Sequence, residues 1–207
     1  MGQKTDSKEF AYEHGHSHHR AWSLGIRWLL TVFIVATLLF FLKPFLVQQM
    51  LTRVSSYFSS YYFDDAIRMS ERIISIDKDN IEAWNSVGYG YKQKAMIDKS
   101  AADYDKEKDD IDKSIKAYET VFSLDPKDIK VCFDIGLLYF SKKEFAKAAE
   151  YFEHVRNMAV DSGESREAGI FSYRGRSLTM LHRCYESLGD TAKAEQIQKE
   201  LKQYIKK

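Results

Sequence analysis

The stretch Ile129–Val155, IKVCFDIGLLYFSKKEFAKAAEYFEHV, decides the fold of this chain. Ile135, Gly136 and Tyr139 lie on one helical face, and a polar break follows at Ser141–Glu144. Phe145, Ala148, Phe152 and Val155 then mark a second face. Apolar residues three or four apart are the signature of an amphipathic helix, so the stretch predicts two helices of about four turns joined by a tight turn. Gly136 and Ala148 fall in mid-helix. A glycine there costs roughly 1 kcal/mol against alanine, and close approach of the two helices is the expected compensation.

The same pattern occurs elsewhere. Ser75–Ile81 (SIDKDNI) mirrors Ser123–Ile129 (SLDPKDI). Each is followed by an apolar residue (Trp84, Cys132), a hydrophobic–glycine pair (Val87-Gly88, Ile135-Gly136) and a tyrosine (Tyr91, Tyr139). Leu178, Leu181, Tyr185, Gly189-Asp190 and Ala194 repeat it a third time, with His182 at the small position. This spacing resembles the tetratricopeptide repeat, a helix–turn–helix unit of about 34 residues. The resemblance covers about residues 47–205. It implies an all-α fold, a solenoid of three to four helix pairs with some elongated helices, whose business is binding proteins.

A solenoid of this kind presents the first helix of each pair along a concave surface. The resemblance therefore places Asn85, Tyr89 and Lys92 of the second repeat in a partner groove, with Phe133, Leu137 and Phe140 of the third and Thr179 and Arg183 of the fourth. Solvent exposure of the three apolar groups would be unfavourable, so a partner helix, a peptide or the chain's own long C-terminal helix should cover them. The family includes clamps for acidic peptide C-termini built from Lys, Asn and Arg. Phe133 and Leu137 replace polar groove positions here, so that specificity is not carried over.

Composition narrows the classes. The chain has 207 residues, with 31 Lys and Arg against 30 Asp and Glu, so no global basic field points to nucleic acid. Two prolines suit an almost wholly helical chain, and two cysteines do not make a disulfide framework. Cys132 and Cys184 read as small buried hydrophobes.

Taken in order, residues 1–20 form a polar tail carrying His14, His16, His18 and His19, expected to be disordered or loosely helical. Imidazoles suit zinc, nickel or copper, but no carboxylate or cysteine ligand set accompanies them beyond Glu13. Met1-Gly2 does not signal myristoylation, because residue 6 is Asp6 where the motif wants Ser or Thr. Residues 21–47 are expected to form a transmembrane helix. Trp28–Leu42 is fifteen residues without a charge, flanked by Arg27 and Lys43. With its apolar extensions, at about 1.5 Å per residue, the stretch 22–47 spans a hydrocarbon core of about 30 Å. Trp22 and Trp28 fit an aromatic belt, and Pro44 is expected to kink or end the helix. The run ends Phe41-Leu42-Lys43-Pro44-Phe45, a poor signal-peptidase site, so the anchor is expected to stay uncleaved. Four basic residues before the span, Lys4, Lys8, Arg20 and Arg27, lean the tail to the cytoplasm and the repeats to the non-cytoplasmic, periplasmic side.

Residues 48–207 form the repeat domain. Residues 47–76 read as a degenerate first repeat whose first helix is continuous with the membrane helix. About fourteen extra residues around Ala95–Asp110 are expected to lengthen both helices of the second repeat by two turns. The resulting hairpin is rich in acids: Asp98, Asp103, Asp105, Glu107, Asp109 and Asp110. About twelve more precede the last repeat, with a turn at Asp161–Glu164, a capping pair and a long helix through Phe171 to Leu188.

No phosphate loop or nucleophile elbow is present, and His154 and His182 stand on separate helices, so no catalytic, cofactor or metal site is expected. The sequence predicts a non-enzymatic, single-pass scaffold or adaptor. It would touch the bilayer through residues 22–47 and hold a protein within a membrane complex. Two alternatives are a metal-handling protein using the histidine tail and a periplasmic, chaperone-like binder of unfolded chains.

Overall fold

In the computed structural model the structure describes residues 6–161 and 171–205. Among them every regular element is a helix: α1 (Asp6–Ser59), α2 (Phe63–Ile76), α3 (Ile81–Ser100), α4 (Tyr104–Leu124), α5 (Ile129–Ser141), α6 (Phe145–Asp161), α7 (Tyr173–Leu188) and α8 (Thr191–Ile205). Contacts divide the chain into two units, Met1–Gln48 and Gln49–Lys207.

In the first unit α1 does not stop at Pro44. A proline removes one donor from the ladder, and the hydrogen bonds on either side hold the helix through it. The large side chains of this segment face no protein: Trp28, Phe33, Phe40 and Phe41 are 69–74% exposed. Thr31 and Thr37 satisfy their hydroxyls within the helix, donating to the Trp28 carbonyl at 2.8 Å and the Phe33 carbonyl at 2.7 Å. Each hydroxyl thus has an acceptor inside its own helix. Arg27–Ser59 is long and apolar enough to cross a membrane by length and composition. Residues 6–20, expected to be loose, are helix as well. They hold no proline, and extending a helix that is already nucleated gains one hydrogen bond per residue fixed. Residues 1–5 lie outside the described residues.

The second unit repeats one construction four times. The turn inside each pair holds one residue in the left-handed region: Tyr61, Ala102, Lys143 and Gly189. The next amide always bonds back five residues, Tyr62 to Tyr57, Asp103 to Asp98, Glu144 to Tyr139 and Asp190 to Tyr185, at 2.9–3.0 Å. These are Schellman caps, which satisfy the last carbonyls of the first helix. Three of the four left-handed residues carry side chains, so the signal glycine provides at 189 is missing from the other turns.

The turns between pairs are also alike. Asn80 and Asp128 cap α3 and α5, accepting from the amides of Ala83 and Val131 at 2.9 and 3.0 Å. Ser172 caps α7 by accepting from Gly175. The α7 helix therefore begins at Tyr173 and is shorter than expected, since a serine in extended conformation competes well for the free amides of a helix start. The expected turn and capping pair at Asp161–Glu164 lie outside the described residues.

Counted from each left-handed residue, the close-approach positions coincide. Gly136 stands seven residues before Lys143 and Ala148 five after it. The same count gives Val54 and Ala66 about Tyr61, and His182 and Ala194 about Gly189. In the second pair the distances are fourteen and twelve, ending on Gly88 and Ser114, so each helix gained seven residues, two turns. At the glycine positions a side chain of the second helix presses against the backbone of the first. A Cβ on Gly136 would lie 2.7 Å from the Phe152 ring, and one on Gly88 would lie 2.7 Å from the Tyr118 ring. The Ser114 hydroxyl donates to the Gly88 carbonyl at 2.7 Å. In the last pair the bulk is exchanged: His182 occupies the first-helix position, and its Nδ1–H donates to the Ala194 carbonyl at 3.1 Å.

One core runs through the second to fourth pairs, including Tyr118, Ile135, Phe152, Leu178 and Leu181. Tyr118 is completely buried and its hydroxyl has no hydrogen-bond partner among the described residues. Burial, first, and then Asp134 hold that hydroxyl far above its ordinary pKa. An unpaired buried hydroxyl costs about 1 kcal/mol or more. Tyr118→Phe should therefore leave the melting temperature unchanged or raise it by a few degrees. A loss of more than about 1 kcal/mol in denaturant titration would show that the hydroxyl is satisfied after all.

Candidate partner-binding groove

The first helices α3, α5 and α7, with the N-terminal half of α4, enclose an open groove of about 520 Å³. Leu137 and Phe140 of α5 and Met180 of α7 give it an apolar floor, and Met96 and Ile111 of the long hairpin make an apolar wall. Met96 is 60% exposed, so this apolar surface meets solvent. Lys92, Lys99 and Arg183 line it together with one acid, Glu107.

Of the eight residues expected in a groove, Lys92, Leu137, Phe140 and Arg183 come together here. Thr179 is exposed on α7, one turn before Arg183. Asn85 is half-buried, about two turns before Lys92 on α3. Tyr89 packs edge-on against Phe58 at 5.1 Å, with the Lys92 ammonium 5.6 Å from its ring. Phe133 is the departure. It is 3% exposed, packed between Phe152 and Tyr173, and the Arg176 guanidinium lies 4.2 Å from its centroid. The chain's own α7 thus covers the first of the three apolar groups, because its helix start brings Tyr173 and Arg176 across α5.

Lys92 is also committed. It donates to Asp134 Oδ2 at 3.0 Å and joins α3 to α5. Lys99 stands 4.0 Å from Glu107. Arg183 lies over the Phe140 ring at 5.0 Å, with no carboxylate partner among the described residues. Sequence reasoning missed Met96 and Lys99, although they continue the 85–89–92 stripe. It also missed Met180, the residue after Thr179.

The acidic hairpin is largely compensated. Asp103 pairs with Lys106, Asp109 with Lys113, Glu107 with Lys99, and Asp110 with Lys94, which also bonds Asp64 at 2.8 Å. Burial pushes the Asp110 carboxyl above its ordinary value. Four of its six acids thus face lysines.

Nothing in the described residues assembles a reactive centre. Cys132 and Cys184 are free and fully buried. Burial pushes the first thiol up to about 12, with Asp128 adding to it, and the second up to about 11. Reactivity follows the thiolate, so both should resist Ellman's reagent at pH 8 in the folded chain and react together on unfolding. Rapid labelling of either in the native protein would contradict this burial. His154 lies edge-on to Phe122 at 5.5 Å. No group of three metal-binding side chains forms among the described residues. The side chains of His14, His16, His18 and His19 lie outside those described.

Comparison with known proteins gives the fold a context. The tetratricopeptide repeat family model matches residues 104–128 and 129–155. No curated protein matches the chain. Among solved structures, MamA superposes with a TM-score of 0.57 at 22% identity, covering 76% of this chain and 72% of that one. A MamA structure from AMB-1 gives 0.58 at 16%, covering 76% and 72%. The type III secretion translocator chaperone SycD of Yersinia enterocolitica gives 0.54 at 15%, covering 69% and 86%. Identities this low speak to the fold alone. Residues 104–155 thus carry the tetratricopeptide-repeat signature, within an all-helical solenoid of the same architecture as these structures.

Proposed function

We propose that this chain is a single-pass membrane protein whose repeats serve as a non-enzymatic scaffold, holding a protein partner as a subunit or assembly factor of a membrane complex. The observation that carries the reading is the groove of about 520 Å³, apolar on its floor and wall and open to solvent. Apolar surface of this kind on a repeat solenoid is stabilised when a partner covers it. The anchor rests on Trp28–Leu42, charge-free and exposed to no protein. Residues 21–47 would cross the bilayer, 48–207 would lie on the non-cytoplasmic side, and 1–20 on the other.

Affinity purification of the tagged full chain in mild detergent, followed by mass spectrometry, tests the reading. A scaffold gives one partner at fixed stoichiometry. A spread of substoichiometric peptides would favour a chaperone-like binder instead. Deleting residues 1–20 separates the metal reading: the scaffold keeps its partner, whereas a metal handler loses its bound metal. The chain should resist extraction from membranes by alkaline carbonate, and release into the supernatant would end the anchor. A C-terminal alkaline phosphatase fusion should be active if the repeats are periplasmic.

A further inference from the structure

Two arginines on α7 share a peculiarity. Arg176 lies over Phe133 at 4.2 Å and over Tyr173 at 5.5 Å, and Arg183 lies over Phe140 at 5.0 Å. Both are exposed, and neither pairs with a carboxylate among the described residues. Phe133 and Phe140 are seven residues apart on α5, as Arg176 and Arg183 are on α7. Seven residues are about two turns, so each pair of side chains shares one helix face, about 10 Å apart along the axis. The result is a ladder with two rungs, each a guanidinium laid on an aromatic ring.

The arrangement has a chemical consequence. A ring draws the guanidinium toward its face, and apart from an Arg183 Nη1 contact to Met180 Sδ at 4.0 Å no acceptor among the described residues takes the N–H groups of these two arginines. The N–H edge of a guanidinium is a fork that fits a carboxylate with two parallel hydrogen bonds. Held in place beforehand, the fork loses less side-chain entropy on binding than a freely rotating lysine would. Most other cations nearby are already engaged: Lys92 by Asp134, Lys99 by Glu107, and Lys142 by Asp112 and Glu144. Beside Arg183 lie the apolar Leu137, Phe140 and Met180.

We propose that the ladder reads an acidic peptide segment of the partner, placing two carboxylates about 10 Å apart on Arg176 and Arg183 and an apolar side chain on the floor beside Arg183. Extended chain meets that spacing with acids three residues apart, and a helix meets it with acids seven apart. The charge balance of the groove selects an acidic occupant, and its apolar floor selects a peptide over a purely anionic ligand. This rests on the groove being a partner site, the reading given above.

The test is phage display of a fully randomised 12-residue peptide library against the full chain in detergent micelles. The same library is panned against Arg176→Met/Arg183→Met, in which methionine still covers the rings but carries no charge. Melting curves establish that the double variant is folded. The expected result is enrichment of peptides with two Asp or Glu at one of those spacings and an apolar residue. A synthetic peptide from that set should bind the double variant about tenfold or more weakly, and weaken with added salt. The conservative Arg176→Lys/Arg183→Lys variant should fall between the two, keeping the charge and losing the fork. Enriched peptides without an acidic excess, or equal binding by the methionine variant, would overturn the ladder while leaving the groove as a partner site. Failure to enrich any peptide would overturn both.

Discussion

Gly136→Val should destabilise the repeat unit by about 3 kcal/mol, a fall of roughly 10 °C in melting temperature for a unit of this size. The cause is geometric. A Cβ at 136 would lie 2.7 Å from one carbon of the Phe152 ring and 3.0 Å from two others. Phe152 is completely buried and packs against Phe133, so the ring has nowhere to withdraw. Gly136→Ala sets two effects against each other. Alanine gains about 1 kcal/mol of helix propensity. Overpacking one methyl into a filled core costs about 1–3 kcal/mol. The contact distance decides for loss, so alanine should cost about 1 kcal/mol and valine, with two further methyls, clearly more. Gly189 is the control. Its φ is +74° and nothing lies within 4 Å of its Cβ position, so Gly189→Ala meets only backbone strain of about 1–2 kcal/mol. Shrinking the knob at the same time, in Gly136→Ala/Phe152→Leu, should recover part of the loss at 136 and do nothing for 189. If Gly136→Ala raises the denaturation midpoint as it would at an open helical site, the close approach does not exist.

That glycine also shows how far the sequence could be read. Gly136 and Gly88 stand out because a helix tolerates glycine only for a reason, and the reason, an aromatic ring driven against the backbone, is local to each pair. The added fourteen residues of the second pair were legible for a similar cause. The interval between the Gly88 and Gly136 motifs stretched while the apolar period persisted, and only a symmetric lengthening keeps both helices in register. The turns themselves were less visible. Tyr61, Ala102 and Lys143 take the left-handed conformation that glycine takes at 189, and no residue type announces it. There the geometry is imposed by packing on either side, so the turn is a consequence of the pair and carries no mark of its own. In the first and last pairs a larger residue, Val54 or His182, stands at the first-helix close-approach position, which is part of why the first pair reads as degenerate.

The groove was half legible. Repeat register identifies which face of each first helix looks inward, and that was enough to find Lys92, Leu137, Phe140 and Arg183. It does not say what α7 does after a region of altered length. The Ser172 cap starts α7 at Tyr173, which lays Tyr173 and Arg176 over Phe133. Of the three covers expected for the apolar groups, Phe133 thereby takes the one the chain itself supplies. Nor does register show where Lys92 spends its charge, because Asp134 follows Phe133 directly and gives no hint of facing another helix.

Lys92→Met should accordingly be a stability defect of about 2–3 kcal/mol. The Lys92 and Asp134 side chains are 22% and 10% exposed, and their 3.0 Å contact links the second pair to the third. Removing the ammonium strands a carboxylate with little access to water, and loss of one partner from a fully buried pair costs about 3–5 kcal/mol. Residual exposure places this case below that range. The reverse change, Asp134→Leu, should cost less, about 1 kcal/mol, because a lysine stem of four carbons can carry its charge out to solvent. Removing both charges in Lys92→Met/Asp134→Leu should restore most of the loss, since two apolar groups leave nothing unsatisfied. The double-mutant cycle therefore separates a strut from a bystander. Additive losses would mean that the two charges act independently, and Lys92 would then be available to a partner. A large favourable coupling would assign Lys92 to the architecture of the groove, leaving Arg176 and Arg183 as the cations an incoming acidic segment can reach.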